Sequence, residues 1–270
     1  MTGHDDDDIF DRGLAFDLDS LRSRRTALKM LGGVGLLGVA GCAAARTSSA
    51  SSTAAPSTPA SGYAPIPEET GGPFPGDGSN GPNVLDDDGI VRSDITSSFG
   101  TGSAVAEGVP TSVELVVVAA GTGKALEGAT VYLWHCDREG RYSIYDSSLP
   151  NENYLRGVQA AGANGVVRFE TVFPACYSGR WPHMHFEVYA ALEDATGGGS
   201  PLATSQLAIP ADVCGIVYAT SGYEQSVSNL ARVSLERDGI FSDGADLQTP
   251  SISGSIDDGY VFRLTVPVTT

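Results

Sequence analysis

Positive charge is in short supply. The chain holds 16 Lys and Arg against 33 Asp and Glu, for a formal charge of −17. Residues 1–41 carry five of the basic and seven of the acidic side chains, so residues 42–270 keep 11 against 26, or −15. A surface this acidic repels nucleic acid and anionic lipid heads, which sets DNA and RNA aside as partners. Long apolar runs are missing too: the weakly apolar stretch Met30 to Ala40 is too short to cross a bilayer. No long helical pattern appears. Histidine is scarce, with four in 270 residues. His4 lies in a leader read below as removed, so three remain. The hydrophobic fraction, 41%, is nonetheless too high for a disordered chain.

The leader is read from Ser23-Arg-Arg-Thr-Ala-Leu-Lys29, which looks like a twin-arginine export signal. The short apolar run follows, and Val39-Ala-Gly-Cys42 resembles a lipobox. The expectation is a removed signal at 1–41 and a lipid anchor at Cys42, with an ordinary signal cleaved near Ala43 to Ala45 as the alternative. Residues 42–62 are rich in Ser, Thr, Ala and Pro and offer almost no large apolar side chains to offset ordering entropy. They read as a tether. The protein is then exported, extracytoplasmic and attached to the cell membrane.

The rest, 63–270, reads as one domain. Residues 63–110 are dense in turn residues and suggest an ordered segment wrapped over a sheet. From Thr111 short β-branched and aromatic runs follow: Ser112 to Ala119, Ala129 to Cys136, Val166 to Thr171, Met184 to Tyr189, Leu202 to Ile209 and Tyr260 to Val266. Asn164-Gly165 predicts a hairpin turn. Asp212 to Ala219 and Tyr223 to Ala231 each suit a short helix. The predicted fold is all-β: an antiparallel β-sandwich with long ordered loops and one or two short helices.

Two of the remaining histidines sit together in Phe173-Pro-Ala-Cys-Tyr-Ser-Gly-Arg-Trp-Pro-His-Met-His-Phe186. On a strand, residues two apart share a face. His183 and His185 then project together, while Met184, Phe186 and Val188 point into a core. Two imidazoles on one face form half of a metal site. The residues alone also allow zinc or copper there, tyrosines that merely pack in a sandwich, and an Arg180 that serves a surface ion pair. Upstream, Tyr132-Leu-Trp-His-Cys-Asp-Arg-Glu-Gly-Arg-Tyr142 reads as a strand end and a turn, where functional side chains commonly sit. Trp134, Tyr132 and Phe173 read as core. His135 and Tyr145 are given no role.

The strings Trp134-His-Cys-Asp…Gly140-Arg-Tyr142 and Phe173-Pro-Ala-Cys-Tyr177…Arg180-Trp-Pro-His183-Met-His185 together resemble the intradiol ring-cleavage dioxygenases, the family of protocatechuate 3,4-dioxygenase and catechol 1,2-dioxygenase. Glu69-Thr-Gly-Gly-Pro-Phe74, Arg92-Ser-Asp-Ile95 and Thr204-Ser-Gln-Leu207 match further segments of it. The resemblance runs from about Pro67 to at least Gln206. The long helical N-terminal segment of the catechol enzymes has no counterpart; the signal and tether stand there.

By position, the resemblance makes Tyr142, Tyr177, His183 and His185 ligands of one non-haem Fe(III) per chain. Phenolate is a hard donor that suits a ferric ion, and a trivalent cation would hold it deprotonated. The implied reaction takes a catechol and O2 and cleaves the ring between its hydroxyl-bearing carbons to a cis,cis-muconate. Tyr177 is displaced and acts as a base. Arg180 stabilises negative charge over the ring, and Gln206 lies near it. A non-catalytic β-sandwich binding lipoprotein is the alternative, suggested by a strand–turn–strand at Gly121 to Val131. Oligomeric state is left open. Outside the cytoplasm one disulfide is expected. Cys136–Cys214 is the preferred pair because Cys176 abuts the proposed ligand Tyr177, although sequence alone leaves the pairing open.

Overall fold

A computed structural model describes residues 62–270. The expectations for the signal and Cys42 anchor, and for the tether up to residue 61, lie outside the described residues. Eight strands are present among the described residues: β1 (Pro110–Ala119), β2 (Thr130–Trp134), β3 (Arg156–Ala160), β4 (Val166–Val172), β5 (His183–Tyr189), β6 (Ala203–Ala208), β7 (Ser251–Ser255) and β8 (Gly259–Val268). They form two four-stranded sheets, ordered β4-β1-β8-β7 and β3-β2-β5-β6. The sandwich expectation holds, with one difference: β1 and β8 pair in parallel. A parallel pair needs a long crossover, and here the whole of the second sheet lies between the two strands in sequence.

The core follows from alternation. Val113, Leu115 and Val117 of β1 are buried, as are Met184, Phe186 and Val188 of β5 and Phe262, Leu264 and Val266 of β8; all belong to one apolar cluster between the sheets. A second cluster covers the outer face of β3-β2-β5-β6. Tyr132, Trp134 and Val158 pack there under the loop residues Val84, Leu85 and Ile90. The segment after Gly62 makes this possible by pairing along exposed edges, which would otherwise invite association. Arg92 N–H donates to Val158 O at 3.0 Å on edge strand β3, and Glu69 N–H donates to Thr204 O at 2.7 Å on edge strand β6.

Both expected helices form, as α2 (Ala211–Val217) and α3 (Glu224–Leu230). A third, α1 (Leu192–Thr196), comes before them. Two further strands, β3 and β7, complete the sheets. Asn164-Gly165 does turn the chain, with Gly165 at φ +76° and its N–H on Gly162 O at 2.8 Å. It is not a hairpin, however, because β3 and β4 lie in different sheets. A Cβ at Gly165 would meet Val117 O at 2.5 Å, so glycine is needed for the close crossing as well as for the turn. Likewise Gly121 to Val131 links β1 to β2 across the two sheets rather than forming a strand–turn–strand in one.

The preferred Cys136–Cys214 bridge is absent. Cys136, Cys176 and Cys214 are all buried free thiols. Cys136 belongs to the outer cluster and Cys214 to the inter-sheet core, so the two pack in different apolar layers. Burial pushes the Cys176 thiol up to about 12 and the other two upward as well, and protonated thiols are poor nucleophiles. Alkylation of the native protein should therefore leave all three unlabelled, and alkylation in denaturant without reductant should label all three. Peptide mapping that finds Cys136 and Cys214 protected after unfolding would contradict the structure.

Candidate functional site

One row of side chains crosses the outer face of the second sheet. Arg156 of β3 pairs with Trp134 of β2, Trp134 with His185 of β5, and His185 with Gln206 of β6. Cross-strand neighbours on one face interact directly. Trp134 stacks on His185 with ring centroids 5.0 Å apart and planes 8° apart, and Tyr132 stacks on Trp134 at 4.7 Å. The tryptophan expected to be plain core thus also supports an imidazole.

His183 and His185 share this face as the period-two pattern requires, both 2% exposed. His183 Nδ1 lies 2.5 Å from Trp181 O. A carbonyl only accepts, so Nδ1 carries the proton and Nε2 keeps its lone pair. That Nε2 is 3.1 Å from His185 Nε2 and 3.0 Å from the Tyr177 hydroxyl.

Tyr142 arrives from the turn after β2. Asp137 shapes that turn: its Oδ1 accepts from the N–H groups of Glu139 (2.9 Å) and Arg141 (3.0 Å), and its Oδ2 from Arg141 Nε (2.9 Å) and Tyr154 (3.0 Å). Gly140 stands at φ +88°, where a Cβ would come within 3.2 Å of Tyr177 Cβ. The Asp and Gly of the first motif are therefore the residues that bring the two tyrosines together. Tyr142 lies 6.0 Å from Tyr177 and 6.3 Å from His185 between ring centroids, under Phe74 of the opening loop at 4.9 Å.

Tyr177 is held from the helical side. Ser226 Oγ accepts from Cys176 N–H at 3.0 Å and Asn229 Nδ2 donates to Cys176 O at 2.8 Å, both from α3. Tyr223 and Tyr218 donate to the carbonyls of Phe173 (2.8 Å) and Pro174 (3.1 Å). Arg180 is not a surface residue. It is 2% exposed, its Nη2 donating to Gln206 Oε1 at 2.8 Å and its Nε to Asp238 Oδ2 at 3.0 Å. All six residues singled out in the sequence thus lie in one connected group. His135 and Tyr145 do not join it. His135 bonds Thr171, and Tyr145 pins Gly76 and Asn80.

Two further partners carry no motif in the sequence. Arg156, buried in the row, donates to the carbonyls of Phe74 (2.9 Å), Pro75 (2.8 Å) and Ser143 (3.1 Å) and fastens the opening loop over the site. Asp238 lies 58 residues beyond Arg180, in a stretch with no β pattern to mark it; a buried arginine needing a counter-charge is the one available signal.

Burial keeps Tyr142 and both site histidines uncharged. Burial, then the neighbouring Tyr177, drive the Tyr142 hydroxyl well above its ordinary range. It makes no hydrogen bond of standard geometry, and neither does His185 Nδ1. Burial first, and Arg180 among other positive neighbours, push both site histidines well below theirs. Two phenol oxygens and two imidazoles thus converge. Two phenols and two imidazoles are the donor set for a hard, highly charged metal ion, which alone would favour the phenolate of a tyrosine this buried.

Fold and site together define a β-sandwich that gathers two tyrosines and two histidines on the outer face of one sheet. A family model described as "Dioxygenase" matches residues 100–195, a span that contains all four donors. A catechol 1,2-dioxygenase 1 of Acinetobacter lwoffii is 32% identical over 91 residues, which are 33% of this chain and 27% of that protein. A chlorocatechol 1,2-dioxygenase of Rhodococcus opacus is 30% identical over 56 residues, 21% of this chain and 22% of that one. The match thus spans about a quarter of the length of these relatives. A solved intradiol ring-cleavage dioxygenase from Tetranychus urticae aligns with a TM-score of 0.56 at 29% identity, over 67% of this chain and 87% of that one. A dioxygenase domain from Streptomyces sp. SirexAA-E shares the fold, with a TM-score of 0.50 at 19% identity, over 77% and 99%. The chain is related to the intradiol ring-cleavage dioxygenases.

The depressed histidines set a pH dependence for the metal-free protein. His183 and His185 lie well below the unfolded value and His135 at about 4, so below about pH 6.5 the unfolded chain binds more protons. Their stability contribution is complete above that pH and is lost as pH falls, by about 1.4 kcal/mol per unit and histidine. Glu187, raised by burial to about 7, works oppositely: its contribution is present at low pH and lost as pH rises through 7. Urea midpoints should drop between pH 7.5 and 5, and drop further in Glu187→Gln. A flat or inverted profile would refute the assignment of neutral histidines.

Proposed function

We propose that this chain is a non-haem Fe(III) intradiol dioxygenase that cleaves catechols between the two hydroxyl-bearing carbons with O2, giving cis,cis-muconates. The observation that carries the proposal is the convergence of Tyr142, Tyr177, His183 and His185 at one buried spot, within the span matched by the dioxygenase family. These four would hold the iron. Ferric iron, when bound, supplies a Lewis-acidic, electron-accepting centre that activates a catecholate toward oxygen. The names of the curated relatives, a catechol and a chlorocatechol 1,2-dioxygenase, support the substrate class.

The side chains divide the remaining work by burial. Tyr142 is buried beneath Phe74, which suits a ligand that stays on the ion. Tyr177 is half-buried and beside exposed Ser178 and Gly179, so its phenolate oxygen is the one placed to take a substrate proton. The Trp181 carbonyl keeps His183 Nε2 a lone-pair donor. Arg180 presents a fixed positive charge that stabilises negative charge developing on the substrate, and Gln206 orients it. Trp134 and Phe74 keep water from the imidazole and the phenol. With the twin-arginine motif and the box at Cys42, the proposal extends to an exported, lipid-anchored enzyme acting outside the cytoplasm.

Purified protein should bind about one ferric ion per chain, show a broad tyrosinate charge-transfer band that shifts when catechol is added without oxygen, and consume O2 with catechol. Tyr142→Phe and His185→Ala should lose the band and the turnover together. Arg180→Gln should keep the band and lose roughly 10²–10³-fold in kcat. Protein that stays colourless after reconstitution with iron salts, or retains full turnover in both ligand variants, would sink the proposal.

A further inference from the structure

The buried charge that the proposed reaction leaves unassigned is Asp238. Its side chain is 0% exposed and that of Arg180 2%. Every polar edge of the carboxylate is used. Oδ2 accepts from Arg180 Nε at 3.0 Å and from Trp181 N–H at 2.7 Å. Oδ1 accepts from the N–H groups of Ile240 (2.9 Å) and Phe241 (3.2 Å) and meets Arg180 Nη2 at 3.4 Å. The same Nη2 also donates to Gln206 Oε1 at 2.8 Å, and the direction of that amide is fixed because its Nε2 donates to Thr70 O at 2.9 Å.

A buried guanidinium without a counter-charge is strongly disfavoured, and a guanidinium paired along its Nε edge keeps one plane. Asp238 supplies both effects. Ile240 and Phe241 pack against Trp181 in a separate apolar cluster, which keeps the carboxylate dry.

We propose that Asp238 is a positioning residue for the reaction: it fixes the plane and the charge of Arg180 over the substrate site, acting only through that arginine. The inference rests on the proposed dioxygenase activity for its kinetic part and on the metal-free protein for its structural part.

In metal-free protein the Arg180 Nε–H should give a slowly exchanging ¹⁵N–¹H signal that disappears in Asp238→Asn. In iron-loaded protein Asp238→Asn should retain the charge-transfer band and bind catechol, without oxygen, within about threefold of the parent, while kcat falls by up to about 100-fold. In an Arg180→Gln background the same substitution should change kcat by less than about twofold, because the two residues act as a unit. Asp238→Glu, which keeps the charge and shifts the guanidinium, should fall between. If Asp238→Asn does not fold, Asp238→Glu decides: lowered kcat with unchanged band and catechol binding supports the proposal, and unaltered kcat overturns it. An equal loss from Asp238→Asn in both backgrounds also overturns it, as does an Arg180 signal that survives the substitution. A parent protein with no iron and no turnover fails the dioxygenase reading instead, and the Arg180 signal then decides the role of Asp238.

Discussion

The structure depends on the two-residue alternation of β5 in the middle of its sheet. One set of side chains, Met184, Phe186 and Val188, is buried between the sheets, and the other, His183, His185 and Glu187, faces the outer layer. A slip of one residue would exchange them. It would move three apolar side chains into the polar outer layer and drive two imidazoles and a carboxyl into the apolar core between the sheets. The hydrophobic pattern therefore fixes the direction of both imidazoles without any contact of its own to them. The rest of the site is built on this register: Trp134 and Gln206 reach His185 because the neighbouring strands pair opposite it.

The outer face of such a sheet would ordinarily be wet. Here it is sealed by backbone as much as by side chains. The segment from Glu69 to Ile95 runs along both edges of the sheet, and Arg156 binds it from beneath through the carbonyls of Phe74 and Pro75. Its donors satisfy loop carbonyls that would otherwise be buried unpaired. The dryness has an electrostatic consequence. Phenols and imidazoles that lose their water prefer their neutral forms, so Tyr142 keeps its proton and the two histidines give theirs up.

Much of this is legible in the sequence alone. Strands with a clear apolar rhythm, β1, β5 and β8, form within two residues of where their patterns begin and end, and the shared face of the two histidines follows from spacing alone. The features that escape a reading of the sequence have a common physical cause: they are not local. Strand β3, Arg-Gly-Val-Gln-Ala, and β7, Ser-Ile-Ser-Gly-Ser, carry little hydrophobic signal and are strands because of what they pair with. Asn164-Gly165 turns as its residues demand, but which strands it joins is decided by the packing of two sheets. The cysteines suggest a bridge by number, whereas the preferred pair, Cys136 and Cys214, lies in separate apolar layers.

Arg180 and Asp238 show the same limit at the site itself. Motif order can single out the arginine and, less firmly, Gln206, because both lie near the histidines in sequence. Nothing near Asp238 in sequence distinguishes it from the exposed acids around it on a chain with 33 of them. It becomes distinct only when the chain after α3 folds back and the carboxylate is enclosed with the guanidinium. The demand can still be read from the motif: an arginine next to two buried imidazoles must be buried too, and its charge must be met from elsewhere in the chain. The region beyond the family-matched span is thus required by the chemistry of the region within it, and the helical pegs on Cys176 and the carboxylate on Arg180 are the two places where that requirement is met.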